Sequence, residues 1–302
     1  MEGICMLPGG FFQDEVCFRE VKLSPPAGKV EELLAEGPDS RCLASRVTDL
    51  LAHCIERIGP LTDITPALVR GLLAGDRDYL VLKLMQLTMG NRVQAVMVCP
   101  NPRCGRKIDM DFNLSDVPVK QGGVTAPAFS MELPKPDAAG SGTAGGGCRV
   151  DFRLPTGGDQ EDLASLVVES EEQAVAQLLA RCIRRMDGKN GIDIADISGL
   201  PASARNEIEA RMEELAPQVE MEMEAICPEC EKGFSFLFNV SQLFIDELNT
   251  DLDRLYREVH FLAFHYKWAE ADILAMPRRK RRRYLELLND QLEAAGRGHE
   301  AR

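Results

Sequence analysis

Four cysteines stand in two short turns, where their type and spacing could hold a metal ion. Cys99 and Cys104 flank a Pro-containing turn in "MVCPNPRCGRKIDMDF", a C-x4-C spacing. Cys227 and Cys230 flank a tighter one in "AICPECEKGFSFLF", a C-x2-C spacing. Such a turn brings two thiolates to one ion about 2.3 Å away, and a closed structural site needs four ligands. The sequence therefore predicts one structural Zn²⁺ held by Cys99, Cys104, Cys227 and Cys230.

Other interpretations of the two cysteine turns remain open. The hairpins could have lost their metal, another chain could complete two separate sites, or the cysteines could form disulfides. The chain has ten cysteines and no secretory signal pattern, which favours a reducing compartment and metal ligands over disulfides. A catalytic zinc keeps an open position beside an acid or base, and Glu229 is the one such group within either turn. A structural ion is therefore the favoured interpretation.

The two cysteine turns belong to a longer internal similarity. "VTDLLAHCIERI" (47–58) aligns with "VAQLLARCIRRM" (175–186) at a difference of 128 in residue number, and Cys99 then falls on Cys227. Beyond the turns the difference becomes 126, which is the change from C-x4-C to C-x2-C, and surface turns tolerate such insertions. Chance similarity between amphipathic helices is the alternative. The pattern favours a duplicated unit.

Each copy has the pattern of a strand, several helices and a closing hairpin. Apolar and polar residues alternate in both closing strands, which is typical of a strand with one buried face. The sequence predicts an α+β fold with two related lobes, 15–120 and 149–243, each ending in a cysteine-knuckle β-hairpin. A flexible Gly-rich linker is expected at 121–148 and a C-terminal helical docking module at 244–296. Helices are expected at 29–36, 43–58, 65–73, 76–88, 159–168, 171–186 and 201–215.

The C-terminal segment carries aromatic and basic residues that could bind a partner protein. Sequence alignment finds no counterpart for it in the first copy. Its apolar residues repeat every three or four positions, which predicts an amphipathic helix that needs a covering surface. Pro277 suits the first turn of a final helix, which then begins with "RRKRRR". A solvated charged face, an acidic protein partner and nucleic acid are the alternatives for this run. The predicted partner-binding residues are Tyr266, Trp268, Arg278, Arg279, Lys280, Arg281, Arg282 and Arg283.

Composition and motifs argue against several classes of protein. A net charge of −13 argues against a surface built mainly for nucleic acid. No apolar run approaches the roughly 20 residues that span a bilayer, so a cytoplasmic protein without a membrane span is expected. His260 and His265 are five residues apart and cannot share an ion on a regular helix. No catalytic triad, phosphate loop or carboxylate pair is evident, so an enzyme is not expected.

Several stretches together resemble a known family. They are "FREVKLSPPAGKVEELL", "GDRDYLVLKLMQLTMGNRV", the two cysteine turns and "REVHFLAFHYKWAEADILAMPRRKRRRYLELL". They resemble baseplate proteins of contractile phage tails and phage-derived contractile injection systems, similar to the hub and assembly proteins of T-even phages. The C-x4-C turn departs from the tighter turn of that family.

The resemblance implies a non-enzymatic structural or assembly component that docks other baseplate or tail proteins. It also implies a cytoplasmic protein that can enter a phage-tail-like particle. A zinc-ribbon regulator that binds nucleic acid is the alternative function, and a zinc hydrolase is a weaker one.

Overall fold

The computed structural model describes residues 3–36, 41–133, 147–219, 222–248 and 252–300. These residues form a mixed α/β structure with a helical C-terminal part and a cluster of cysteines. The predicted combination of strands and helices is confirmed at this level.

A three-stranded antiparallel sheet and four helices form the first part of the chain. The sheet order is β1-β2-β3, and β4 and β5 pair separately as a two-stranded hairpin. The elements are β1 (Ile4–Gln13), β2 (Val16–Leu23), α1 (Gly28–Glu36), α2 (Leu43–Cys54), β3 (Ile55–Ile58), α3 (Pro66–Arg70), α4 (Ala74–Met89), β4 (Arg92–Val98) and β5 (Lys107–Asn113).

A second sheet and four further helices follow. The elements are β6 (Val119–Lys120), β7 (Phe129–Leu133), β8 (Cys148–Phe152), α5 (Gly157–Glu169), α6 (Glu171–Cys182), β9 (Ile183–Met186), β10 (Lys189–Asn190), α7 (Ile194–Ser198), α8 (Ala202–Leu215), β11 (Gln218–Val219), β12 (Glu222–Ile226) and β13 (Gly233–Leu237). The sheet order is β10-β9-β8-β7, and β12 and β13 form a second hairpin. The strand β7 lies within the range expected to be linker, because its alternating apolar residues pair with β8. Positions 134–146 of that range lie outside the described residues.

The order of elements runs in parallel in the two parts. If the short strands β10 and β11 are left out, the series β2-α1-α2-β3-α3-α4-β4-β5 has the same order of strands and helices as β8-α5-α6-β9-α7-α8-β12-β13. In both parts the pairing register between two antiparallel strands shifts once, between β2 and β3 in the first and between β8 and β9 in the second. The slips lie between Lys22 and Leu23 and between Asp151 and Phe152.

Two predicted helices end earlier than expected. The helix expected at 43–58 ends at Cys54, and the helix expected at 171–186 ends at Cys182. The last four residues of each range form β3 and β9, which pair with β2 and β8. Pairing with a neighbouring strand therefore overrides the helical periodicity at these ends. Both terminal cysteines are fully buried and belong to apolar clusters, and Cys182 Sγ also accepts a hydrogen bond from Arg153 Nη1 (3.7 Å).

The C-terminal part consists of α9 (Val240–Leu248), α10 (Leu252–Tyr266), α11 (Glu270–Leu274) and α12 (Arg278–Glu300). Helix α9 crosses the expected boundary at 243/244, because Phe244, Ile245 and Leu248 are buried in the core of the first part. Helices α10 to α12 enclose a smaller apolar cluster of their own. Among the described helices, none combines the length and apolarity needed to cross a bilayer.

The α11–α12 pair resembles two earlier helix pairs in the lengths of its parts. The pairs α3–α4 and α7–α8 have the same form: a five-residue helix, a three-residue link and a longer helix. The first link residue is right-handed helical in all three, with ψ of −13°, −16° and −13° at Gly71, Gly199 and Ala275. The expectation that the C-terminal segment is an addition to the two lobes stays a prediction.

Candidate metal centre

Two β-hairpins carry the predicted metal ligands on their end turns. In the first, the Cys99 backbone N–H donates to the Arg106 carbonyl (2.8 Å), which closes the turn above β4 and β5. In the second, the Cys227 N–H donates in the same way to the Lys232 carbonyl (3.0 Å). The residue after the second cysteine is left-handed in both turns, with φ of +57° at Gly105 and +55° at Glu231. The C-x4-C turn therefore closes like the tighter C-x2-C turn.

The four predicted cysteines meet at one point. All four Sγ atoms lie within 4.8 Å of one another. The Cys99 and Cys230 sulfurs are 3.9 Å apart, as are the Cys104 and Cys227 sulfurs, so these contacts join the two hairpins. A tetrahedral ion with bonds of about 2.3 Å requires sulfurs about 3.8 Å apart, whereas a disulfide requires about 2.05 Å. The cluster has the dimensions of a metal site, and it could bind a metal ion.

The surroundings of the cluster favour a thiolate at one corner. Cys99 and Cys227 are buried, and Ile108 and Phe234 belong to the apolar shell around the sulfurs. The Asn101 amide Nδ2 donates to Cys230 Sγ (3.6 Å). This hydrogen bond, together with a backbone hydrogen bond from Lys232, lowers the pKa of Cys230 to about 6, whereas the pKa values of the neighbouring Cys99 and Cys104 are raised.

Asn101 was not among the residues predicted for the site. Its position inside the wider cysteine turn was visible in the sequence, but its contact crosses to the other hairpin. A deprotonated sulfur is the form that binds metal, so the environment at Cys230 suits a ligand.

An aromatic pair also joins the two hairpins. Phe112 of β5 and Phe238, which follows β13, pack edge to face with ring centroids 4.9 Å apart and planes at 86°. Such a pair contributes about 0.5–1.5 kcal/mol beyond its buried area. The hairpins are therefore in contact through apolar side chains as well as through the cysteines.

The predicted basic run divides into buried and exposed residues. Arg281 Nη2 donates to both carboxylate oxygens of Glu31 (2.9 and 3.0 Å), and its Nε donates to Glu258 (3.2 Å). Arg278 Nη1 donates to the Glu247 carbonyl oxygen (2.8 Å). Both arginines are buried within the chain's own structure. The exposed members are Arg279, Lys280, Arg282 and Arg283.

The predicted aromatic residues pack mainly against one another. Tyr266 and Trp268 stack with centroids 4.6 Å apart, and Tyr284 of α12 meets Trp268 edge-on at 4.9 Å. All three are half-buried beside the apolar cluster of α10 to α12. Their role in binding a partner stays a prediction.

Most of the chain matches one protein family. Residues 15–252 match the family described as T4 bacteriophage base plate protein. The chain belongs to this baseplate protein family. Residues 248–301, which hold α10 to α12, match a family of unknown function (DUF6760). No curated protein and no solved structure matches the chain. The family resemblance drawn from the motifs is confirmed, and membership suggests a structural role beside other tail proteins.

Proposed function

We propose that this baseplate protein is a non-enzymatic structural or assembly component of a contractile, phage-tail-like baseplate, braced by one structural Zn²⁺. The observation that carries the proposal is the cluster of four cysteines, two from each hairpin, at the dimensions of a tetrahedral site. Family membership supplies the baseplate context.

The energetics support a metal with an architectural role. A two-stranded hairpin is marginally stable by itself, and each hairpin here is a separate two-stranded ladder. A structural zinc contributes about 10–16 kcal/mol of binding free energy in small zinc domains, against about 5–15 kcal/mol for the stability of a whole protein. Four protein ligands leave no open position for a substrate, which supports a structural ion over a catalytic one.

We also propose that the lobes 15–120 and 149–243 are copies of one ancestral unit, related by a pseudo-two-fold axis near the metal. The support is the parallel order of their elements and the corresponding slip in their β-ladders. The matching left-handed residue after each second cysteine supports the same proposal.

Two exposed surfaces suit contacts with other baseplate proteins. On the hairpins, the apolar side chains of Val96, Ile226 and Leu237 are 63%, 71% and 80% exposed, so a partner could cover them. On α12, the exposed basic residues can steer and register an acidic neighbour, mainly through association rate and specificity. The proposed role of the C-terminal helices is docking through this exposed basic face.

Metal analysis of the purified protein tests the zinc proposal. About one zinc per chain is expected for the wild type, and loss of that zinc for Cys227→Ser. Cys17→Ser is the matched control, because Cys17 is an exposed thiol in β2 outside the cluster. Less than half an equivalent in the wild type, or an unchanged content in Cys227→Ser, would contradict a four-cysteine site.

Mass spectrometry of purified particles and assembly intermediates tests the baseplate role. The protein is expected in one or both, together with other tail proteins. Its absence from both, with salt-dependent DNA binding that is lost when Arg279, Arg282 and Arg283 are neutralised, would favour a zinc-ribbon regulator.

A further inference from the structure

Three helix pairs place an arginine at the same position. In α3–α4, α7–α8 and α11–α12, it lies in the first turn of the longer helix, four residues after the link ends. These arginines are Arg77, Arg205 and Arg281. Two of them are fully buried against the start of another helix, and those two contacts show what the position accommodates.

Arg281 lies against the start of α1. The link before it forms a β-bridge between Pro277 and Ala27, and the Gly28 N–H donates to the Met276 carbonyl (3.2 Å). A Cβ added at Gly28 would lie 3.0 Å from Arg281 Nη1. The arginine then binds the carboxylate of Glu31, three residues after this glycine.

Arg77 lies against the start of α5 in the same way. Its link forms a β-bridge between Leu73 and Thr156, and the Gly157 N–H donates to the Leu72 carbonyl (2.9 Å). A Cβ added at Gly157 would lie 1.6 Å from Arg77 Nη1, so a larger residue there would have to displace the guanidinium. The carboxylate of Glu161, four residues after the glycine, lies 3.8 Å from the same nitrogen.

The third position lacks such an occupant among the described residues. Arg205 Nε is buried and makes no hydrogen bond within the described part of the chain, as is also true of Arg77 Nε and Nη1. Unlike Arg77 and Arg281, Arg205 has no ion pair with a carboxylate of another helix among the described residues. The Leu200 carbonyl corresponds to the Leu72 and Met276 carbonyls, and no described backbone N–H from another helix start donates to it. Pro201 and the first residues of α8 are exposed. An open groove between α6 and α8 borders Arg205.

We propose that the link at 199–201 and Arg205 form a docking site for a helix start of a different protein. That helix has glycine at its first position and a carboxylate three or four residues later. A second copy of this chain is a poor candidate, because its own glycine-led starts, α1 and α5, are already covered by Pro277 and Leu73. The expectation that the partner is a tail protein rests on the proposed function.

Charge around the groove restricts the partner further. Glu171, Glu172 and Glu209 line the groove beside Arg205. Like charges oppose docking, so the partner helix needs basic residues next to the carboxylate that reaches Arg205. The sequence at α1 has this form, since Lys29 is exposed two residues before the buried Glu31.

Site-directed photo-crosslinking in cells that assemble the particles tests the docking site. A benzophenone amino acid replaces Asn206, an exposed residue of the groove, or Arg211, an exposed residue of α8 that does not line it. We expect adducts at position 206 at least tenfold more abundant than at 211, with crosslinked peptides in a glycine-led helix start of a partner. Equal yields, adducts confined to this chain, or adducts elsewhere on a partner would overturn the proposal.

Charge reversal gives a second measurement. Arg205→Glu is expected to reduce assembled particles at least tenfold, whereas Arg211→Glu stays within twofold. Because a glutamate at 205 would also lie near Glu171, Glu172 and Glu209, Arg205→Gln is made beside it to remove the charge without adding another. Arg205→Gln is expected to match wild type in amount and zinc content and still to reduce assembly, because Arg205 Nε has no hydrogen bond to lose within the described chain. Wild-type assembly by Arg205→Glu would refute the site.

The partner's identity separates the two proposals. A helix-start adduct on a protein outside the tail would support the docking site and contradict the baseplate role. An adduct on a tail protein away from a helix start would support the role and contradict the site.

Discussion

Replacement of Arg281 by alanine is expected to lower the free energy of unfolding by about 3–5 kcal/mol. Arg281 is 0% exposed and its partner Glu31 is 5% exposed, so the change takes the nearer counter-ion from a buried carboxylate. Among the described residues, Arg278 Nε, 3.9 Å from Glu31, then remains opposite it. Removing one member of a buried ion pair costs about this much, a large part of the roughly 5–15 kcal/mol that stabilises a protein. The contact joins α12 to α1 across 250 residues of sequence.

The magnitude follows from the contacts that the guanidinium makes. Its hydrogen bonds to Glu31 measure 2.9 and 3.0 Å, the one to Glu258 3.2 Å, and the one to the Met276 carbonyl 2.9 Å. Hydrogen bonds to charged groups contribute about 1.5–3 kcal/mol each, but desolvation of both charges offsets part of that gain. The double change Glu31→Leu with Arg281→Met is therefore expected to recover stability to within about 2 kcal/mol of wild type.

Urea unfolding at a fixed zinc concentration measures the effect. Arg283→Ala is the matched control, because Arg283 pairs with Glu286 in the same helix and both side chains are more than half exposed. Its expected cost is about 0.5 kcal/mol or less. A loss below about 1 kcal/mol for Arg281→Ala, or a double variant as unstable as the single one, would refute the assignment of this stability to a buried ion pair.

Three further predictions concern pH, a close approach and the C-terminal aromatics. Burial raises the pKa of Asp76 from 3.8 to about 6, so its folded form binds more protons and stability increases as the pH falls from 7 through 6 toward 4. The free energy of unfolding of the wild type, minus that of Asp76→Asn, should therefore rise over that range by up to about 3 kcal/mol. A difference that does not change with pH would contradict the raised pKa. Gly157→Ala should lower stability in thermal unfolding by about 1–3 kcal/mol, because its Cβ would overlap the buried Arg77 guanidinium. The control Gly233→Ala, whose Cβ meets open space, should lower it by about 0.5 kcal/mol. Equal effects of the two variants would contradict the close contact. Trp268→Ala should speed hydrogen exchange in α10 and α12 but not in β2, and unchanged exchange would show that its ring stacking does not hold these helices.

The sequence determined the features that depend on local spacing. Cysteine spacing and the internal alignment predicted that Cys99, Cys104, Cys227 and Cys230 would meet, because each turn sets two ligands and the similarity relates the turns. Regular apolar periodicity located most helices, and it placed Cys54 and Cys182 on buried faces. These signals lie within one element and need no knowledge of its neighbours.

The tertiary structure decided the features that depend on a distant partner. Nothing in "RRKRRR" distinguishes the buried Arg281 from the exposed Arg282, because the carboxylate that holds Arg281 belongs to Glu31 at the other end of the chain. Helix ends at 55–58 became strands because β2 offers unpaired backbone groups there. Burial of a charge and pairing of a strand both depend on what the fold brings alongside, and local sequence does not carry that information.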